Sequence, residues 1–285
     1  MSGRRILVPA SLPKPLTPEE KIAMTIWMSA IFCTLLPAAA FAVDGVVLID
    51  HNRALAGNVT PGDTLGYPVT ISVPGSYRLS GNLNVANSNT NGILLLASHV
   101  TIDLNGFAIL GPNDCVTGEC TLNGIGSGIT NFLDPSSPSR FNIKIRNGTI
   151  AGMGANGIFL HGSGFIVEDL LVRNNGLAGI GLGANDTLYG TSIVRHNIAE
   201  YNRNGIVVSS ALVSDNLTQL NRNSGIEVIQ GRAVNNVSME NSSYGLAFGT
   251  LVSYSGNVVS ANKVANIFGG VNMGGNLCAP FVCPN

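Results

Sequence analysis

Charge is scarce in this sequence: Asp, Glu, Lys and Arg make up 11% of 285 residues, and aromatic residues only 6%. With 35 glycines and 45% hydrophobic residues, such a chain suits one elongated β-rich body better than several helical domains. Beyond residue 42 there is no long apolar run, which excludes a further membrane-spanning helix. The apolar residues come instead in short Ile/Leu/Val runs such as "GILLLA" and "GIVV", bounded by Gly and Asn. These are too short for core helices and read as strands buried in a parallel sheet.

The N-terminus is separate. Residues 22–42, "IAMTIWMSAIFCTLLPAAAFA", follow Arg4, Arg5, Lys14 and Lys21 and end in Ala40-Phe41-Ala42. This is the pattern of a signal peptide cut between Ala42 and Val43; an uncleaved anchor is the alternative, because the stretch is nearly long enough to span a bilayer. Residues 1–42 are thus expected to form an extension and signal peptide, 43–90 an N-terminal cap and first coils, 91–275 a repeat body, and 276–285 a tail. Export to the periplasm or the outside follows from a cleaved signal, with no membrane association afterwards.

Removing residues 1–42 takes away four of 15 basic and two of 16 acidic residues and leaves a formal charge of −3. Without a basic field, nucleic acid is excluded as a partner. Four cysteines remain, Cys115, Cys120, Cys278 and Cys283, in two pairs of equal spacing. In an exported chain they read most simply as disulfides Cys115–Cys120 and Cys278–Cys283. Zinc wants closer ligand spacing and nearby histidines, so no metal is assigned to them.

What the sequence has in abundance is a repeat. Pairs five residues apart recur as Asp169/Asn174, Asn197/Asn202, Asn216/Asn221, Asn236/Asn241 and Asn257/Asn262. Each is followed by a small and an apolar residue: Gly179-Ile180, Gly205-Ile206, Gly225-Ile226, Gly245-Leu246 and Asn266-Ile267. A period of about 20 residues with three short apolar stretches and no helical pattern describes one coil of a right-handed, single-stranded parallel β-helix. In that geometry the asparagines are expected at sharp turns, tolerating the left-handed region and forming amide ladders up the stack. The expected fold class is all-β, with about 8–9 coils of about 20–22 residues each.

The segments "NGIFLHG…FIVEDLLVRNNGLAGIGL" and "GIVVSSALVSDNLTQLNRNSGIEV", with "SHVTIDLNGFAILGP" upstream, resemble the β-helix repeats of the pectin-lyase-like superfamily over about residues 68–275. The resemblance implies the fold and leaves the activity open, since that superfamily holds lyases, hydrolases, epimerases and proteins without known chemistry. Motif by motif, the chemistry does not transfer. Polygalacturonase-like hydrolases carry Asn-Thr-Asp, Asp-Asp, Gly-His-Gly and Arg-Ile-Lys; here "LHGSG" at His161 and "NIKIRNG" at Lys144 and Arg146 stand in another order without paired carboxylates. The Asp-Pro-His of alginate epimerases meets only Asp134-Pro135-Ser136. A lyase-like site would need acids for calcium, and the acids are scattered; calcium enters only if the protein is lyase-like, and otherwise no cofactor is implied.

One constellation is left. Directly before the first ladder position stand Glu168, His196, Asp215 and Asn235, with Arg195 beside His196. At equal register on successive coils, Glu168, His196 and Asp215 would form a carboxylate–imidazole–carboxylate column about 4.8 Å per step. It is either an acid/base or sugar-binding site, with Glu168, Arg195, His196 and Asp215 as catalytic residues if the protein is an enzyme, or a solvated column whose charges relieve one another. The inserted "ANDTLYG" raises a wall near it and offers Tyr189; Arg203 and Arg222 on adjacent coils are expected to clamp an anionic sugar or to form a solvated edge. His161 is expected to line a turn, and Asp103 to serve a turn or ladder. The outward positions Phe159, Gly181, Val207, Glu227 and Ala247 make a small, mostly apolar face suited to packing against a loop or partner. Two readings follow: an exported β-helix binding carbohydrate or a surface partner without turnover, or a polysaccharide-active enzyme.

Overall fold

In a computed structural model, residues 45–113, 123–134, 136–183, 192–280 and 283 are described. The signal segment, Cys115, Cys120 and Tyr189 lie outside the described residues, so nothing follows for them. Among the described residues no helix is long and apolar enough to cross a membrane.

Among the described residues, the chain from Val69 onward winds through nine coils, each contributing a strand to three parallel sheets. In the fourth coil these are Ile158–Ser163, then Ile166–Glu168 and Leu171–Arg173 at the two ends of one strand segment. We call these the first, second and third sheets. Every strand pairs in parallel with its counterpart one coil on, as in Ile158↔Ile180, Val167↔Val194 and Val172↔Ala199. The expected parallel β-helix is therefore the architecture, and its coil count lies at the upper end of expectation. Before the first coil, Val46–Ile49 adds to the second sheet through Gly75–Leu79, and a six-residue helix, His51–Ala56, follows it. That helix starts where Asp50 accepts the Arg53 amide, as an N-cap should.

Inside, like stacks on like. The first sheet sends in Ile129, Ile158, Ile180, Ile206, Ile226 and Leu246, all fully buried. The second sends in Ile145, Val167, Val194, Val213, Ala233 and Tyr254. Burying each large aliphatic side chain removes it from water at about 1.5–3 kcal/mol. The third sheet carries two polar residues inward, Thr218 and Ser238; their hydroxyls bond at 2.9 Å and Ser238 passes its proton on to the Gly245 carbonyl, so neither is stranded.

The asparagine ladders form amide hydrogen bonds up the stack as expected, but the ladder asparagines do not take the left-handed conformation expected of them. The left-handed residues are His196, Asp215 and Asn235 at one turn and Tyr201, Leu220 and Glu240 at the other, each one place before a ladder position. The ladder asparagines themselves have no positive φ; they are selected for their amides. Asn216 Nδ2 donates to Asn236 Oδ1 at 3.0 Å and to the carbonyls of Val194 and Ser214, while its Oδ1 accepts from the backbone and side-chain nitrogens of Asn197. Asn202, Asn221, Asn241 and Asn262 do the same at the second turn. A carboxamide that donates and accepts at once can thread such a column through the dry interior, where a charged carboxylate could not.

The first member of the repeat shifts by one residue. Leu171 pairs with Ile198, so Leu170, not Asp169, stands opposite Asn197, and Leu170 N donates to Asn197 Oδ1 at 3.2 Å. At the second turn Asn175, not Asn174, joins Asn202, at 2.9 Å. The first ladder also runs one rung beyond Asn257, to Asn276. The glycine of each Gly-Ile pair is demanded by this packing: a Cβ on Gly205 would run into the Gly225 carbonyl and the Asn221 amide. Cys278 and Cys283 are disulfide-bonded, and Cys283 packs against the core at the last coil.

Candidate functional site

Three surface features contain the charged and polar residues that sequence singled out. The first lies on the outer side of the second sheet. Arg78, Asp103, Arg146, Glu168 and Arg195 occupy equal register on five consecutive coils, alternating in sign. Glu168 therefore faces Arg195, not His196, which corrects the expected column. The cause is the one-residue shift at Asp169: the coil reaches its left-handed turn at Asp169, so Glu168 is the last residue to pair in the second sheet.

The two acids of this column are held fast. Glu168 Oε1 meets Lys144 Nζ at 2.5 Å, and its Oε2 meets Arg195 at 2.7 Å. Asp103 takes Arg146 at 3.1 Å and Arg78 at 3.7 Å, together with the Asn105 amide and the Asn147 side chain. Burial pushes each carboxyl up, but the hydrogen bonds and neighbouring cations outweigh it and hold both below the ordinary carboxylate range. Ionised, covered and fully bonded, they are ill placed to take or give a proton near neutral pH. Asp103 thus closes a turn, as expected, and anchors an ion-pair column that the sequence did not reveal; the signal was there in "TIDLNG" and "KIRNG", which end equivalent strands.

The second feature is the turn that follows. Asp169, His196, Asp215 and Asn235 share a left-handed conformation on consecutive coils. His196 Nδ1 lies 3.6 Å from Asp169 Oδ1, and both side chains are more than half exposed. Asp169 thus stands in the place assigned to Glu168, in contact with His196, and Asp215 occupies the equivalent turn position on the next coil. The turn stands on an open edge, where water screens its charges. Among the described residues, no group of three or more His, Cys, Asp or Glu is placed to hold a metal ion.

The third feature is a trough along the outer side of the first sheet. Two adjoining cavities of about 400 and 510 Å³ share Asn156, Phe159 and Leu177 in their walls, a size within the range of about 300–1,000 Å³ usual for ligand sites. The floor is the small apolar face expected from sequence: Phe159, Gly181 and Val207 follow one another in register. Phe132 stands edge-on to Phe159, with ring centroids 5.3 Å apart, and also against His161 at 5.5 Å. His161 is a strand residue of the first sheet, paired with Gly183, and not a turn residue.

Arg203 lines the trough. Asn223 N donates to the Arg203 carbonyl at 2.7 Å and Arg222 N to that of Asn202, so Arg203 and Arg222 do stand side by side on adjacent coils. Arg222 is not part of the trough wall. What sequence reasoning missed here is the aromatic wall: Phe132 sits in an insertion whose return to the body no repeat pattern predicts.

No protein-family profile matches the chain, and no curated protein does. Among solved structures it is similar to the A-module of the mannuronan C-5 epimerase AlgE4 of Azotobacter vinelandii, with 14% identity and a TM-score of 0.49. That match covers 68% of this chain and 65% of the module. It is also similar to the periplasmic alginate epimerase AlgG, at 10% identity and a TM-score of 0.35 over 73% of this chain and 77% of that one.

Proposed function

We propose that the protein is an exported β-helix that binds a polysaccharide along the trough of the first sheet without turning it over. The observation that carries this reading is the trough itself, a continuous concave strip with an aromatic and aliphatic floor and an amide-rich rim. Pyranose rings present apolar C–H faces and hydroxyl edges, so a strip of this kind meets both. Support also comes from the acids: Glu168 and Asp103 are committed to arginine and lysine partners, and neither lines the trough.

A second reading, a polysaccharide-active enzyme, is favoured by one observation, the Asp169–His196–Asp215 column. There His196 would act as acid or base, with Arg195 beside it. A glycan array combined with turnover assays on pectate, alginate and neutral polymers, with and without calcium, separates the two. Binding without unsaturated product, epimerised sugar or new reducing ends supports the first reading; product that disappears in His196→Ala establishes the second.

A further inference from the structure

The trough has a chemical bias that narrows what it would hold. Among the described residues of its walls, Arg203 alone carries charge; the other polar groups are amides and hydroxyls. One position further along the floor, Glu227 brings the opposite charge, its Oε1 accepting from Asn204 Nδ2 at 2.9 Å. Counting Glu227, which lies just beyond both cavities, the described residues of floor and rim are formally neutral, and a single cation in the walls is a poor match for a ligand with a negative charge on every unit.

The amides are also oriented. Asn91 Oδ1 accepts the Ser127 amide at 2.8 Å, and Asn156 Oδ1 accepts that of Ala178 at 3.1 Å. Because a backbone N–H can only donate, these bonds fix the carbonyl side of each carboxamide inward and leave Nδ2 as the donor. Asn223 is turned the other way: its Nδ2 donates to Asn204 Oδ1 at 3.2 Å, leaving Oδ1 as an acceptor. The rim thus offers both fixed donors and a fixed acceptor. A carboxylate can only accept, whereas an acetamido group accepts through its carbonyl and donates through its N–H.

The floor supplies a place for such a group. Gly181 lies between Phe159 and Val207 in register, and because it has no side chain the Phe159 ring leans over it, with Cδ2 3.0 Å from where a Cβ would stand. The ring lying along the floor offers a flat apolar surface on which a pyranose face or a methyl can stack. We infer that the trough recognises an uncharged glycan bearing acetamido groups, with one unit stacked on the Phe159 ring and its amide bonded by the asparagine rim. This inference rests on the trough being the polysaccharide site and names the class of sugar it takes.

Gly181→Val is the informative variant. Gly181 does not have a positive φ and Val207 already occupies the same register one coil on, so the sheet accepts the residue, but a Cβ there would stand 3.0 Å from Phe159 Cδ2, so valine displaces the ring on which the sugar stacks. Titration calorimetry of the full chain with hexamers of N-acetylglucosamine, glucose and galacturonate is expected to rank them in that order. Gly181→Val is expected to weaken the first at least about tenfold. Phe159→Ala provides a second loss-of-binding variant should Gly181→Val melt early. Preference for galacturonate, lost in Arg203→Ala, would overturn the acetamido assignment and leave the polysaccharide reading standing. Acetamido binding untouched by both floor variants would place the site elsewhere and overturn the inference, and no binding to any glycan would overturn both.

Discussion

One oxygen of Glu168 accepts from both Nε and Nη2 of Arg195 on the next coil, at 2.9 and 2.7 Å, while its other oxygen meets Lys144. The folded-state carboxyl is held below its ordinary value, as is that of Asp103. A depressed carboxylate stabilises the fold above its unfolded pKa, about 4 for these groups, and that stability is lost as pH falls through the folded value. Thermal melting is therefore expected to be level from pH 7 to about 5 and to fall below about pH 4. Glu168→Gln should cost about 1–2 kcal/mol at pH 7, discounted for the partial exposure of both cations. The gap to the parent should narrow at pH 3; a gap equal at both pH values would show that the pair carries no net stability.

Asn216 is only 2% exposed and sits in the middle of its ladder. Asn216→Leu would remove the acceptor of two Asn197 donors and the Nδ2 donor that serves Asn236 Oδ1, Val194 O and Ser214 O. Each buried group left unpaired costs about 1–3 kcal/mol, so the loss should reach about 3 kcal/mol or more. Urea unfolding followed by circular dichroism measures it. A variant as stable as the parent would sink the claim that the ladder, and not only the aliphatic stacks, holds the coils together.

The repeat was legible because a coil repeats its chemistry at every turn: Gly-Ile, the outward face from Phe159 to Ala247, and the ladder asparagines from Asn197 to Asn262 all fell in register. What was not legible was phase at the first coil. Asp169 and Asn174 carry the right side chains one residue early, since Asp and Asn also suit the left-handed turn. That single slip moved Glu168 from His196 to Arg195. Pairings between coils of unequal length, such as Asp103 with Arg146 across the insertion, and the return of Phe132 to the trough, depend on tertiary closure and leave no periodic trace.

The left-handed turn positions predict a gain instead of a loss. Leu220 has φ 53° where neighbouring coils have Tyr201 and Glu240. A left-handed conformation costs an ordinary L-residue roughly 1–2 kcal/mol, and Asn bears it more easily. Leu220→Asn should therefore raise stability by up to about 1 kcal/mol, read as an upward shift in Tm, provided the half-buried leucine contributes little packing. A lowered Tm would mean that packing at this corner outweighs backbone strain.

His196 separates the two functional readings at little structural cost. Its side chain is 53% exposed, its contact with Asp169 is 3.6 Å, and it is absent from the trough. Exposed pairs of this kind are worth about 0–1 kcal/mol, so His196→Ala should melt within about that margin of the parent. Glycan affinity should be unchanged, because the turn column lies apart from the floor residues Phe159, Gly181 and Val207 that make the proposed contact. Combined with Phe159→Ala the two losses should be independent, as for sites without shared partners. A His196→Ala protein that melts normally but fails to bind or convert a glycan would move the site from the first sheet to the turn, and with it the case from recognition to catalysis.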